Sequence, residues 1–200
     1  FVARRKKKNY SQLLFLGFIV LLAVTFLTGM ADKYFATSET PQATISNDEQ
    51  AKQNFIKQLA PIAQAEQRQY GVLASITLAQ AALESDWGKS ELSAKYNNLF
   101  GIKNPNGSLM TTQEYVDGQW TTIRDTFAVY GSWEDSVKAH TQLFVNGTDW
   151  NTDHYGPVLQ AKNYEQAAWA LQNQGYATDP NYAEKLIALI KQYNLNQYDL

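Results

Sequence analysis

The chain has 200 residues, 44% hydrophobic and 18% charged, with 17 basic against 19 acidic side chains, two histidines and no cysteine. This is ordinary globular composition, and it excludes collagen-like, low-complexity and disulfide-scaffold classes. With no thiol there is no cysteine nucleophile, zinc finger or iron–sulfur cluster, and His140 and His154 are too few for a His-rich metal site.

The charge is unevenly placed. Arg4, Arg5, Lys6, Lys7 and Lys8 are uncompensated, because the first acid is Asp32. The rest of the chain holds 12 basic and 19 acidic residues, a balance of about −7. Such a body lacks the basic face that phosphate neutralisation requires, so no nucleic-acid partner is expected. After the basic segment 1–9 comes an apolar segment 10–30, in which the 18 residues from Leu13 to Met30 carry no charge. As a helix that run spans roughly 27 Å, close to the hydrocarbon thickness of a bilayer. The positive-inside rule keeps residues 1–9 cytoplasmic and sends the body outside. The expectation is one N-terminal transmembrane signal anchor in the cytoplasmic membrane, with the domain extracellular. A cleaved signal peptide is the alternative, opposed by the long apolar run and the lack of an A-x-A site. Residues 31–46 are small, polar and aperiodic, which reads as a tether. Residues 47–200 form one domain able to bury a single core.

Within that domain the pattern is mostly helical. Ser46 to Glu49 has the S-x-x-E form of a capping box, opening a helix with Phe55, Ile56, Leu59, Ile62 and Ala63 on one face. Pro61 predicts a kink or a split, and Gly71 an end. A second helix, from about Ala74 to Asp86, is apolar on most sides and reads as the buried central helix, stopped by Trp87-Gly88. Leu109 to Phe127 is rich in β-prone residues, with Asp117-Gly118 at its centre predicting a type I′ hairpin. Three more helices are expected, opened by Ser132, by Asn163 with Gln166, and by Asp179-Pro180 with Pro at the first helical position. The fold class is α+β: a mainly helical body with a small β-hairpin lobe that is poorly anchored and free to close over a ligand.

One carboxylic acid stands out. Glu84 ends the most apolar helix, three residues before Trp87. Desolvation and the negative end of the helix dipole both favour its protonated form, as a general acid near neutral pH requires. A surface glutamate paired with Lys89 is the alternative. Asp149, Asp153 and His154 cluster in a polar loop but lack the further ligands of a metal site, and His140 reads as a packing residue. No G-x-S-x-G elbow or phosphate-binding glycine loop is present.

The run ALESDWGKSELSAKYNNLFGIK, from Ala82 to Lys103, resembles the signature of glycoside hydrolase family 73, bacterial endo-β-N-acetylglucosaminidases that cut peptidoglycan. The resemblance continues in order through TTQEYVDGQW, FAVYGSWEDSVKAH and GYATDPNYAEKL, covering roughly Asn54 to Tyr193. It implies a lysozyme-like fold, peptidoglycan glycan strands as substrate and no cofactor or metal. It also implies that Glu84 is the catalytic acid and that Glu114, on the hairpin, is a second candidate acid. A cleft tyrosine is carried over to Tyr176, with Tyr182 as the alternative in a substrate-binding role. Asn98, in the N-N-L-F-G turn, is a candidate substrate ligand, although Asn also fastens its own loops.

Sugar binding calls for flat apolar faces beside uncharged hydrogen-bonding groups. Tyr115 and Trp120 are the candidates to line the cleft, Trp150 and Tyr155 are further aromatics, and Tyr130 and Trp133 are expected to pack. Two carboxylates would support an inverting route with Glu114 as base; a substrate-assisted route would use the substrate's N-acetyl group instead. The rival readings are a lytic transglycosylase of the same fold and a non-catalytic peptidoglycan-binding module. An amidase would ordinarily need a metal or a thiol.

Overall fold

The computed structural model of the protein describes residues 46–116 and 119–200, with residues 112–116, 119 and 120 described by backbone pairing alone. The anticipated anchor at 10–30 and its flanks lie outside the described residues. No helix among the described residues is long and apolar enough to cross a membrane.

The domain is α+β. Helix α1 (Asn47–Tyr70) leads into α2 (Ala74–Ser85) and a short α3 (Glu91–Tyr96). Strands β1 (Lys103–Val116) and β2 (Gln119–Phe127) follow, then α4 (Trp133–Asn146), α5 (Gly156–Leu159), α6 (Tyr164–Asn173), α7 (Tyr182–Gln192) and a closing 3₁₀ helix, Leu195–Tyr198.

The caps explain most boundaries. Ser46, Ser132 and Asn163 each accept the backbone N–H of the residue three positions on, as their spacing predicts. Gly71 closes α1 in the left-handed conformation, φ 84°, with its N–H on the Gln67 carbonyl. Two expectations are corrected. Helix α1 is not split at Pro61, which lies on an exposed face where the Lys57 carbonyl, left without its helical partner, can meet solvent. Helix α7 begins at Tyr182 with Asn181 as N-cap, because Asp179 spends its side chain on the Asn181 N–H and on Lys185, making a turn before the helix.

The hairpin has the anticipated register: Val116 pairs with Gln119, leaving the two residues Asp117-Gly118 between the strands. Its first strand starts earlier than the β-prone run, at Lys103, and a bulge at 104–107 lets both Lys103 and Ser108 pair with Phe127. Gly107 is needed there, since a Cβ would lie 1.9 Å from the Phe127 carbonyl oxygen.

The helices pack around α2. Eleven of its twelve residues are buried. A helix that deep cannot cap itself with water, and its N-cap Leu73 offers no side-chain acceptor. Distant residues do so instead. Gln67 Oε1 accepts the Ala74 N–H at 3.0 Å, and Asp199, from the far end of the chain, accepts the Ser75 N–H at 2.8 Å and its hydroxyl at 2.7 Å. Gln64 holds the same terminal segment through the Tyr198 carbonyl. Asp199→Ala would strand a buried N–H, so it should cost about 1–2 kcal/mol. Chemical denaturation should show that loss, and Asp199→Asn, which keeps an acceptor, should recover much of it.

Candidate active site

The site begins where α2 stops. Asp86, Trp87 and Gly88 follow Glu84-Ser85 with φ of 49°, 58° and 80°, three consecutive left-handed residues. Two of them carry side chains, so the turn is strained and must be held from outside. Ser85 holds it: its hydroxyl donates to the Ala81 carbonyl at 2.6 Å and accepts the Gly88 N–H at 2.7 Å. Only glycine fits at 88, because a Cβ would sit 2.7 Å from the Trp133 ring. Trp87 packs edge-on against Phe55 and Tyr193. Most of the E-S-D-W-G element therefore serves to end the helix sharply.

Glu84 is 8% exposed. It does not pair with Lys89, which binds Asp48 instead. Its partner is Tyr182, at the start of α7, whose hydroxyl donates to Glu84 Oε1 at 2.9 Å. Gln80, one turn earlier on α2, donates from Nε2 to the same phenolic oxygen, also at 2.9 Å. Burial pushes the Glu84 carboxyl well above the usual glutamate range; the Tyr182 hydrogen bond opposes that shift, Asp179 adds to it and Lys185 opposes it. Desolvation dominates, so the protonated form is favoured.

Two features aim Tyr182. Asp179 caps the Asn181 N–H at 2.9 Å and pairs with Lys185, and Gln172 of α6 accepts the Ala183 N–H at 2.9 Å. Tyr176 lies behind: it is 2% exposed and its ring stacks on Tyr182 with centroids 5.8 Å apart. Burial raises the phenols of both, with the Glu84 charge adding to it.

The remaining expectations divide. The tyrosine bonded to Glu84 is Tyr182, and both it and Tyr176 are buried. Of the two readings of Asn98, the structure shows the loop fastening. Asn98 is 1% exposed; Nδ2 donates to the carbonyls of Ile102 and Ala128, and Oδ1 accepts the N–H groups of Phe100 and Ile102. All its bonding capacity fastens its own loop to the root of the hairpin, leaving none for substrate. Glu114 pairs with Thr121, and Tyr115 with Trp120, in the ladder; their side chains lie outside the described residues. Trp133 packs on Phe55, and Tyr130 is half-buried, its phenol raised to about 12 by desolvation. Tyr155 is buried against Phe144, whereas Trp150 is 60% exposed. His154 is tied to the Gln174 carbonyl. His140 packs on Phe100, but neither of its ring nitrogens has a hydrogen-bond partner among the described residues. No group of three or more His, Asp or Glu among the described residues is placed to hold a metal.

Residues 60–195 match the family model described as mannosyl-glycoprotein endo-beta-N-acetylglucosaminidase. The chain belongs to the glucosaminidase family. It is a member of glycoside hydrolase family 73, and so a glycoside hydrolase. It is 46% identical to the exo-glucosaminidase LytG of Bacillus subtilis over 99% of this chain and 70% of that protein. It is 34% identical to the peptidoglycan hydrolase FlgJ of Salmonella typhimurium over 78% of this chain, spanning 50% of that protein. The catalytic domain of the Listeria monocytogenes autolysin Auto superposes with a TM-score of 0.67 at 39% identity, covering 82% of this chain and 92% of that domain.

Within the glucosaminidase domain, the perturbed acid has a consequence for stability. The folded chain favours protonated Glu84 more than the unfolded chain does. The stability that this group lends is therefore complete below the ordinary glutamate range and is lost as pH rises through the folded value. Glu84→Gln removes the ionisation while keeping an acceptor for Tyr182. It should unfold at a higher temperature than the parent at neutral pH, with the gap shrinking as pH falls toward 4. Thermal melts across that range measure it.

Proposed function

We propose that the protein hydrolyses the β-1,4 bond after N-acetylglucosamine in peptidoglycan glycan strands, with Glu84 as general acid. One observation carries this reading: a carboxyl that burial shifts toward its protonated form ends α2, inside the segment that matches the family, with a phenol on one of its oxygens. Glycoside cleavage needs a proton on the leaving oxygen as the C1–O bond breaks, and Glu84 supplies it. Once the proton has left, the Tyr182 hydrogen bond stabilises the carboxylate that remains. Water then completes the hydrolysis, its proton taken by Glu114 in an inverting route; in the rival route the carbonyl oxygen of the substrate's own N-acetyl group attacks C1 as the leaving group departs, and water opens the ring so formed. Tyr115 and Trp120, in the same hairpin, supply the flat faces on which sugar rings stack.

The relatives support the substrate class: LytG is named an exo-glucosaminidase, FlgJ a peptidoglycan hydrolase and Auto an autolysin. Relatives in Lactococcus lactis, 36% identical over 90% of this chain and 41% of their own length, are named probable N-acetylmuramidases. That name makes the neighbouring bond, after N-acetylmuramic acid, the second reading. Mass spectrometry of digested peptidoglycan separates them. N-acetylglucosamine at the new reducing end supports the proposal, a reducing muramic acid favours the second reading, and an anhydro sugar would mean a lytic transglycosylase. Glu84→Gln should lower turnover by about 10²- to 10⁴-fold. A folded variant that still clears peptidoglycan at the parental rate would refute Glu84 as the acid. Glu114→Gln should cost as much only if Glu114 is the base.

The same reading places the enzyme at the cell surface, held by the uncharged run Leu13 to Met30 behind the basic segment Arg4 to Lys8. Protease added to wall-stripped intact cells should then remove the catalytic domain. A protected domain would contradict this placement.

A further inference from the structure

Gln80 is fully buried, and its side chain makes one hydrogen bond, Nε2 to Tyr182 Oη at 2.9 Å; its Oε1 has no partner among the described residues. A buried amide left half-satisfied beside a reactive carboxyl calls for an explanation. Gln80 and Glu84 lie four residues apart on α2, so they project from one face and meet at the same phenolic oxygen. That oxygen carries a single hydrogen. When it accepts from the amide, its hydrogen is free to turn to Glu84. With the amide reversed, the phenol would donate to the Gln80 oxygen, and protonated Glu84 would have to donate its own hydrogen inward to Tyr182. The proton needed by the leaving group would then be spent inside the protein. Reversal would also leave two buried N–H bonds unpartnered in place of one N–H and one carbonyl, and an orphaned buried N–H is the rarer of the two.

We propose that Gln80 is a positioning residue: its amide turns the Tyr182 hydrogen onto Oε1 of Glu84, leaving Oε2 to carry the proton that is transferred. This rests on the reading of Glu84 as the acid and extends it two bonds into the core. Accepting from Gln80 also polarises the phenol, making it a better donor to the carboxylate formed during the reaction. The other charged or titratable groups acting on Glu84, Tyr182 and Tyr176 are Asp179, Lys185, Tyr155 and Tyr130, and the test leaves all of them intact.

Gln80→Met removes the donor at nearly constant volume. It should lower kcat roughly three- to tenfold with KM unchanged. The alkaline limb of the kcat profile should move to higher pH, because a weaker phenol donor favours the carboxylate less. In a Tyr182→Phe background, Gln80→Met should add nothing. Equal losses in both backgrounds, or a raised KM with an unmoved limb, would overturn the proposal. Should Gln80→Met not fold, the orientation can be read in the unaltered full chain labelled with 15N-glutamine. A slowly exchanging Gln80 side-chain N–H with an NOE to Tyr182 supports the proposal, and an amide whose oxygen faces the phenol overturns it. An inactive Glu84→Gln beside a fully active Gln80→Met would reject the Gln80 role alone, whereas an active Glu84→Gln would reject the acid itself.

Discussion

The hydrogen bond between Glu84 and Tyr182 joins the two parts of the chain on which this domain depends. Glu84 ends α2, the helix around which the others pack, and Tyr182 begins α7, 98 residues later. The bond has little value unless both ends are dry, and both are dry only when α2 lies at the centre of the body. Burial of α2 therefore does two things at once. It forms the core, and it shifts one carboxylic acid toward its protonated form at the point where the helix ends.

A buried helix creates needs of its own, and much of the surrounding structure answers them. Its first N–H groups reach Gln67 and Asp199, because no local acceptor exists. Its last turn is stopped by three left-handed residues pinned by the Ser85 hydroxyl and wedged under Trp133. The result is a rigid carboxyl on a rigid support. A second acid placed on a two-stranded ribbon has no comparable support, since such a ribbon is only marginally stable without packing. This contrast suits the division of labour proposed above, with a fixed proton donor on α2 and a hairpin that adapts to the glycan strand.

The acid also works against stability, as a buried ionisable group must. The enclosure around Glu84 penalises its ionisation, and the bond from Tyr182 softens the penalty. Gln80 leaves a carbonyl unsatisfied in the same place. Both costs fall at the proposed catalytic site, and stability is commonly given up for chemistry at such places. The rest of the core, built from alanine, leucine, isoleucine and aromatic side chains, offsets them.

What the sequence by itself determined is whatever depends on neighbours along the chain. Helix starts at Ser46, Ser132 and Asn163, the end at Gly71, the hairpin about Asp117-Gly118 and the apolar character of α2 are set by contacts within a few residues. The motif around Glu84 was legible for the same reason, as one uninterrupted segment. Only the tertiary structure decided which groups meet across long separations. It put Tyr182, not Tyr176, on the acid, and it brought Gln80 to the same phenol. It made Asn98 a loop clasp, and drew Asp199 back to cap α2. The i, i+4 spacing of Gln80 and Glu84 on an apolar helix was a readable hint that both face one partner. The partner could not be read, because a hydrogen bond is set by distance and direction in space, and loop paths of about a hundred residues leave no trace of either in local sequence.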